Sequence, residues 1–200
     1  MIWISLIAFF VSMITAAGVV RWARAHALNY GAGMPQRFHL GNVPRLGGLA
    51  VLLGLSSSWL LGWVQAEWGD PGSLKLGSSL IFWWLAILLP AALGGIVEDM
   101  TQRLAVRYRL FLTALSSSVA VWGLGLTLPR LGGPWLDVIL VWVPWLGLVI
   151  VLLAVAGLPH AFNIIDGYNG LAGMVAVIVC LALAHVALQV GDRALAALLV

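Results

Sequence analysis

The sequence predicts an all-α, polytopic membrane protein, and three observations carry that prediction. Hydrophobic residues make up 62% of the chain and charged residues only 8%, against about 25% charged in a soluble domain. The mean hydropathy is +1.07. Six runs approach the roughly 20 apolar residues that a helix needs to cross a bilayer: about 2–20, 46–66, 74–97, 110–128, 136–158 and 171–190. Lipid offers no partner to free backbone groups, and no closed-barrel alternation is visible, so these runs must be helices. They are read as one membrane domain spanning residues 1–200.

The first run lacks a basic leader segment and a clear small-residue cleavage site, so it reads as a retained span. Charge in the connecting segments then orients the rest. Arg21, Arg24, Arg37 and Arg45 lie between the first two runs, and Arg103, Arg107 and Arg109 between the third and fourth; these are seven of the ten cationic residues. Basic loops face the cytoplasm, which places the N-terminus outside and the segment after the fifth run on the cytoplasmic side. Trp59, Trp63, Trp68, Trp122 and Trp135 fall near the expected outer boundary, where amphipathic rings settle. The net charge of +3 includes no basic block, so no nucleic-acid partner is expected. The single cysteine, Cys180, excludes a disulfide framework.

Three cytoplasmic segments carry the polar chemistry. The first ends in His39-Leu40-Gly41-Asn42-Val43-Pro44-Arg45-Leu46-Gly47-Gly48. Its arginine beside a helix start suits an anion, although positive-inside anchoring alone also explains it. The second holds Glu98-Asp99 at the end of the third run. Adjacent carboxylates repel and favour a shared cation, and Mg²⁺ takes one or two carboxylates plus substrate phosphates. The plain alternative is an Asp99–Arg103 surface pair at i, i+4 spacing. The third is Pro159-His160-Ala161-Phe162-Asn163-Ile164-Ile165-Asp166-Gly167-Tyr168-Asn169-Gly170, a polar island between two apolar runs. If helical, Asn163, Asp166 and Asn169 share a broad face. Asparagines both donate and accept, as a base or sugar hydroxyl requires, and Gly167 admits close backbone approach. A helix cap would explain one of these polar residues but not three. His160 reads as an interfacial side chain, and His185 as a neutral histidine bonded to a neighbouring helix.

These motifs, in this order, resemble the polyprenyl-phosphate N-acetylhexosamine-1-phosphate transferases, the MraY/WecA-type superfamily of glycosyltransferase group 4. The form is similar to the WecA-like branch of O-antigen and other surface polysaccharide pathways. The resemblance implies transfer of a sugar-1-phosphate from a UDP-sugar to undecaprenyl phosphate, with release of UMP. It implies Mg²⁺ or Mn²⁺ as cofactor and a multi-pass protein of the bacterial inner membrane with a cytoplasmic active side. It further implies Glu98 and Asp99 as metal and catalytic residues and Asp166 as catalytic. Asn163, Asn169, Gly167, Arg45 and His39 would be substrate-binding. Glu98 replaces the usual first aspartate of its pair, and Asn169 stands where many members carry a second aspartate. The family's later spans and a further metal-binding loop have no counterpart in residues 1–200, so an N-terminal part, inactive alone, is expected. A non-catalytic membrane binder of lipid phosphate or nucleotide sugar, and a small transporter, are the competing readings. A transporter would carry ionisable groups along its interior, whereas here they gather at one interface.

Overall fold

A computed structural model describes residues 2–23, 46–68, 77–165 and 170–200. Every element among them is helical: α1 (Ile2–Trp22), α2 (Gly47–Trp68), α3 (Ser78–Thr101), α4 (Val106–Leu124), α5 (Pro134–Trp142), α6 (Pro144–Ile165), α7 (Leu171–Gln189) and α8 (Arg193–Leu199). Five of these, α1, α2, α3, α6 and α7, are long and apolar enough to cross a membrane. The sixth expected span, 110–128, corresponds to α4, which is not among the five.

The boundaries differ from expectation in three places. The third helix runs to Thr101 rather than stopping near 97, so Glu98 and Asp99 lie within its last turns. The fourth begins at Val106 and ends at Leu124. Arg107 and Arg109 are therefore helical; the amides of Tyr108 and Arg109 bond the Ala105 carbonyl. Gly125, at φ 62°, terminates this helix in the left-handed region, where glycine carries no Cβ penalty.

The expected fifth span, 136–158, is broken at Val143. α5 ends there, and α6 starts at Pro144 and continues through Pro159 to Ile165. Proline biases the residue before it away from the α region, and a β-branched residue has the least freedom to accommodate that. Val143 precedes the proline that breaks the run, whereas Leu89 and Leu158, which are not branched at Cβ, precede Pro90 and Pro159, which stay inside helices. Nine residues reach only about 14 Å, so α5 is too short to span, and α6 is the crossing helix.

The chain divides into two compact units, residues 1–81 with 163–200, and residues 82–162. In the first, α1 packs along α2. The contacting side of α2 is a ladder of small buried residues, Ala50, Gly54, Ser58 and Gly62, four apart, which lets two backbones approach closely. Ser12 donates to the Ala50 carbonyl at 3.0 Å. Trp59 on the same helix is only 7% exposed. It therefore packs inside instead of joining an outer belt, while Trp68, Trp122 and Trp135 are well exposed. Also in this unit, α7 and α8 form a hairpin over buried Ala184, Ala187, Ala196 and Ala197. Asp192 caps α8 by accepting from the Leu195 amide at 2.9 Å.

In the second unit, α4 is the central strut. Four of its polar side chains, Arg109, Thr113, Ser116 and Ser117, engage neighbouring helices, which helps a less apolar helix to be tolerated. The Ala91 amide, next to Pro90 in α3, donates to Ser116 Oγ at 3.0 Å. Ser117 is fully buried and donates to the Leu152 carbonyl of α6 at 2.9 Å. Gly123 lies so close to the Trp83 ring of α3 that no Cβ fits there, and Gly94 faces Leu112.

Candidate functional site

The described part of the site lies within the second unit, where α3 ends and α4 begins and where His160 of α6 meets α4. The chain leaves α3 through Gln102, whose φ is 53°, the only positive φ outside glycine among the described residues. Its amide donates to the Glu98 carbonyl at 2.7 Å, closing the last turn. Thr101 Oγ1 donates to the Val97 carbonyl at 2.6 Å. This tight exit sets Glu98 opposite the first turn of α4.

There Glu98 Oε1 lies 3.9 Å from an Arg109 guanidinium nitrogen, an ion pair too long for a hydrogen bond. The two side chains are 28% and 31% exposed. Three further atoms of this turn are buried without a hydrogen-bond partner: Glu98 Oε2, Gln102 Nε2 and Arg109 Nε. Buried polar groups left unpaired are costly. Here they present a carboxylate oxygen that a cation can occupy and two N–H donors that an anion can occupy. Asp99 is half-buried beside them. Arg103 and Arg107 are exposed, and Arg107 stacks over the Tyr108 ring at 5.0 Å.

One turn along α4 from Arg109, Thr113 Oγ1 lies 3.0 Å from His160 Nε2 of α6. One turn further along α6 stands Asn163, exposed in its final turn.

The expected site residues thus separate into two groups. Glu98, Asp99 and Asn163 are placed at helix ends. His39, Arg45, Asp166, Gly167 and Asn169 lie outside the described residues, as does the helical face that Asn163, Asp166 and Asn169 were expected to share. The N-cap of α7 is Gly170, at φ 79°, so that helix does not start on Asp166 or Asn169, and the capping explanation of the polar island loses its helix.

The ion pair found joins Glu98 to Arg109. Among the described residues, His185 is bonded to Gln189 one turn on in its own helix, at 2.9 Å, and not to a neighbouring helix as expected. Exposure of that side chain leaves its own helix as the nearest source of a partner. The engagement of Arg109, Gln102, Thr113 and His160 was not anticipated. Starting the fourth helix at Val106 would have put Arg109 and Thr113 on one face at i, i+4 spacing.

Among the described residues, no three His, Cys, Asp or Glu side chains come together as a metal cluster. Mg²⁺ does not need three: it commonly takes one or two carboxylates and completes its shell with water and substrate phosphates. The unpartnered Glu98 Oε2, next to Asp99 in sequence, fits that requirement.

No solved structure matches the chain. A relative from Bacillus subtilis (strain 168), described as a probable undecaprenyl-phosphate N-acetylglucosaminyl 1-phosphate transferase, is 27% identical over 188 residues. That alignment covers 92% of this chain and 49% of the relative, so the chain spans about half the length of the relative it matches. The sequence model of glycosyl transferase family 4 matches residues 81–200, a segment that contains Glu98, Asp99, Arg109 and the whole polar island. The resemblance read from the motifs and this match agree: the chain belongs to glycosyl transferase family 4.

Proposed function

We propose that the protein transfers a sugar-1-phosphate from a UDP-N-acetylhexosamine-type donor to undecaprenyl phosphate and so initiates a lipid-linked polysaccharide of the O-antigen kind. The observation that carries this reading is Glu98, whose buried Oε2 has no hydrogen-bond partner, beside Arg109 at the end of a membrane-length helix. Charged groups at such a boundary are expected to serve function. Family membership and the Bacillus relative, with its undecaprenyl-phosphate substrate, support the same reading.

The reaction is a phosphoryl substitution without redox change. An oxygen of the lipid phosphate attacks the sugar-bearing phosphorus of the donor. A new P–O–P bond forms, the bond to the UMP phosphate breaks, and UMP leaves with the electron pair. Catalysis of such transfers is mainly positioning and charge neutralisation. Glu98 and Asp99 would hold Mg²⁺ or Mn²⁺. The bound ion would neutralise developing charge on the diphosphate. Arg109, paired with Glu98 through one nitrogen, keeps Nε and its remaining N–H groups for phosphate oxygens. Asp166 acts in donor placement or catalysis, with Asn163, Asn169 and Gly167 lining the nucleotide pocket and Arg45 and His39 near the phosphates. All of this lies on the cytoplasmic side of the inner membrane, with the N-terminus outside.

The test uses membranes carrying the protein expressed from its whole reading frame. UDP-[sugar-labelled] N-acetylhexosamine, undecaprenyl phosphate and Mg²⁺ should yield labelled lipid and one equivalent of UMP, and Asp166→Asn should abolish both. Absence of lipid-borne label with every N-acetylhexosamine donor tried would remove the transferase reading. Full activity in Asp166→Asn would remove that residue from the site.

A further inference from the structure

Along one face of α4, four polar side chains reach its neighbours. Arg109 meets Glu98 and Ser116 meets Ala91, both on α3; Thr113 meets His160 and Ser117 meets Leu152, both on α6. The Ser116 and Ser117 contacts engage backbone and serve packing. The Thr113 contact differs, because its partner is an ionisable side chain one helical turn before Asn163.

The direction of that hydrogen bond follows from proton bookkeeping. Thr113 Oγ1 lies 3.1 Å from both the Arg109 and the Leu110 carbonyls. Carbonyls only accept, so the single hydroxyl proton goes to them. Toward His160, 3.0 Å away, Oγ1 therefore accepts, and the hydrogen sits on Nε2. Thr113 is 8% exposed, so water competes weakly for this bond. The bond ties the rotational setting of the last turns of α6 to the helix that also positions Arg109 against Glu98. Pro159, inside α6 immediately before His160, removes one backbone hydrogen bond from that stretch, which leaves the helix end more dependent on a side-chain tie.

We infer that Thr113 and His160 are positioning residues: their hydrogen bond sets the end of α6, and with it Asn163, for the nucleotide of the sugar donor. The inference rests on the proposed transferase function. It concerns donor binding and not the lipid acceptor, since the tie ends on His160, within the same polar island as Asn163.

The experiment uses the full-length protein in nanodiscs with Mg²⁺. It measures UMP affinity by titration, and in parallel the KM for donor and for undecaprenyl phosphate. Thr113→Val and His160→Ala should each weaken UMP and raise the donor KM about 5-fold, the scale of one buried hydrogen bond. The KM for lipid should stay unchanged. The double variant should be no worse than the worse single one, because both remove the same bond. His160→Gln, whose amide nitrogen reaches nearly as far as Nε2, should restore wild-type behaviour, and so should Thr113→Ser. His160→Asn, which is too short, should resemble His160→Ala. Unchanged UMP affinity in folded Thr113→Val and His160→Ala would overturn the inference. So would additive losses in the double variant, or His160→Gln as impaired as His160→Asn. A wild-type protein that neither binds UMP nor transfers sugar phosphate would instead sink the transferase reading, and this inference with it.

Discussion

Replacing Gly54 by alanine should loosen the α1–α2 pair, and the size of the effect can be worked from the packing. A Cβ on Gly54 would sit 2.8 Å from the Ala8 carbonyl oxygen and collide with the Ser12 hydroxyl. The carbonyl belongs to helix backbone and cannot swing aside. Overpacking of this kind costs about 1–3 kcal/mol. The Ser12 hydroxyl, once displaced, loses its bond to the Ala50 carbonyl, about 1 kcal/mol more. Against this, alanine in place of glycine inside a helix gains about 1 kcal/mol. The gain and the hydrogen-bond loss offset, leaving a net destabilisation of about 1–3 kcal/mol. At about 2–4 °C per kcal/mol for a chain of this size, the melting temperature should fall by roughly 2–12 °C. Gly18 supplies the internal control: it lies on α1 with open space where a Cβ would go. Gly18→Ala should therefore keep only the propensity gain and raise the melting temperature by about 2–4 °C. Thermal unfolding of detergent-solubilised protein, followed by loss of helical circular dichroism, reads both variants. Gly54→Ala melting at or above wild type would refute the close α1–α2 approach from which the estimate was built.

Other outcomes follow from the same structure. Gln102→Gly should raise the melting temperature by about 2–4 °C, since glycine relieves a left-handed backbone costing about 1 kcal/mol; a decrease would mean the glutamine side chain holds the turn. Glu98→Gln, which removes a charge while keeping the shape, should lower transfer at least 100-fold and weaken Mg²⁺ activation; wild-type rates at all Mg²⁺ concentrations would exclude Glu98 from the metal site.

Much of this fold and family was legible in the residues themselves. An all-helical membrane protein followed from run length and the scarcity of charge, because lipid permits apolar helices and little else. The motif order, ending in Asn163-Ile164-Ile165-Asp166-Gly167, pointed to the family that the sequence match then supported. Boundaries were less legible, for local reasons. Hydropathy registers apolar runs, and it is blind to a β-branched residue before proline, which is why the break at Val143 was missed. It also reads Arg107 and Arg109 as loop, although arginine is a good helix former.

The sequence by itself determined the membrane setting of this protein, its helical class and the chemical groups it can offer. Those depend on composition and short spacings, which need no partner. Only the tertiary structure decided which groups meet. Glu98 pairs with Arg109, and Thr113 engages His160. Trp59 packs inside rather than marking the bilayer edge. Each of these is a contact between residues distant in the chain or across a turn. It is set by how α4 rotates against its neighbours or by how α1 lies on α2. No run of hydropathy encodes that rotation, because helix faces are chosen by packing, side chain against side chain, after the helices have formed.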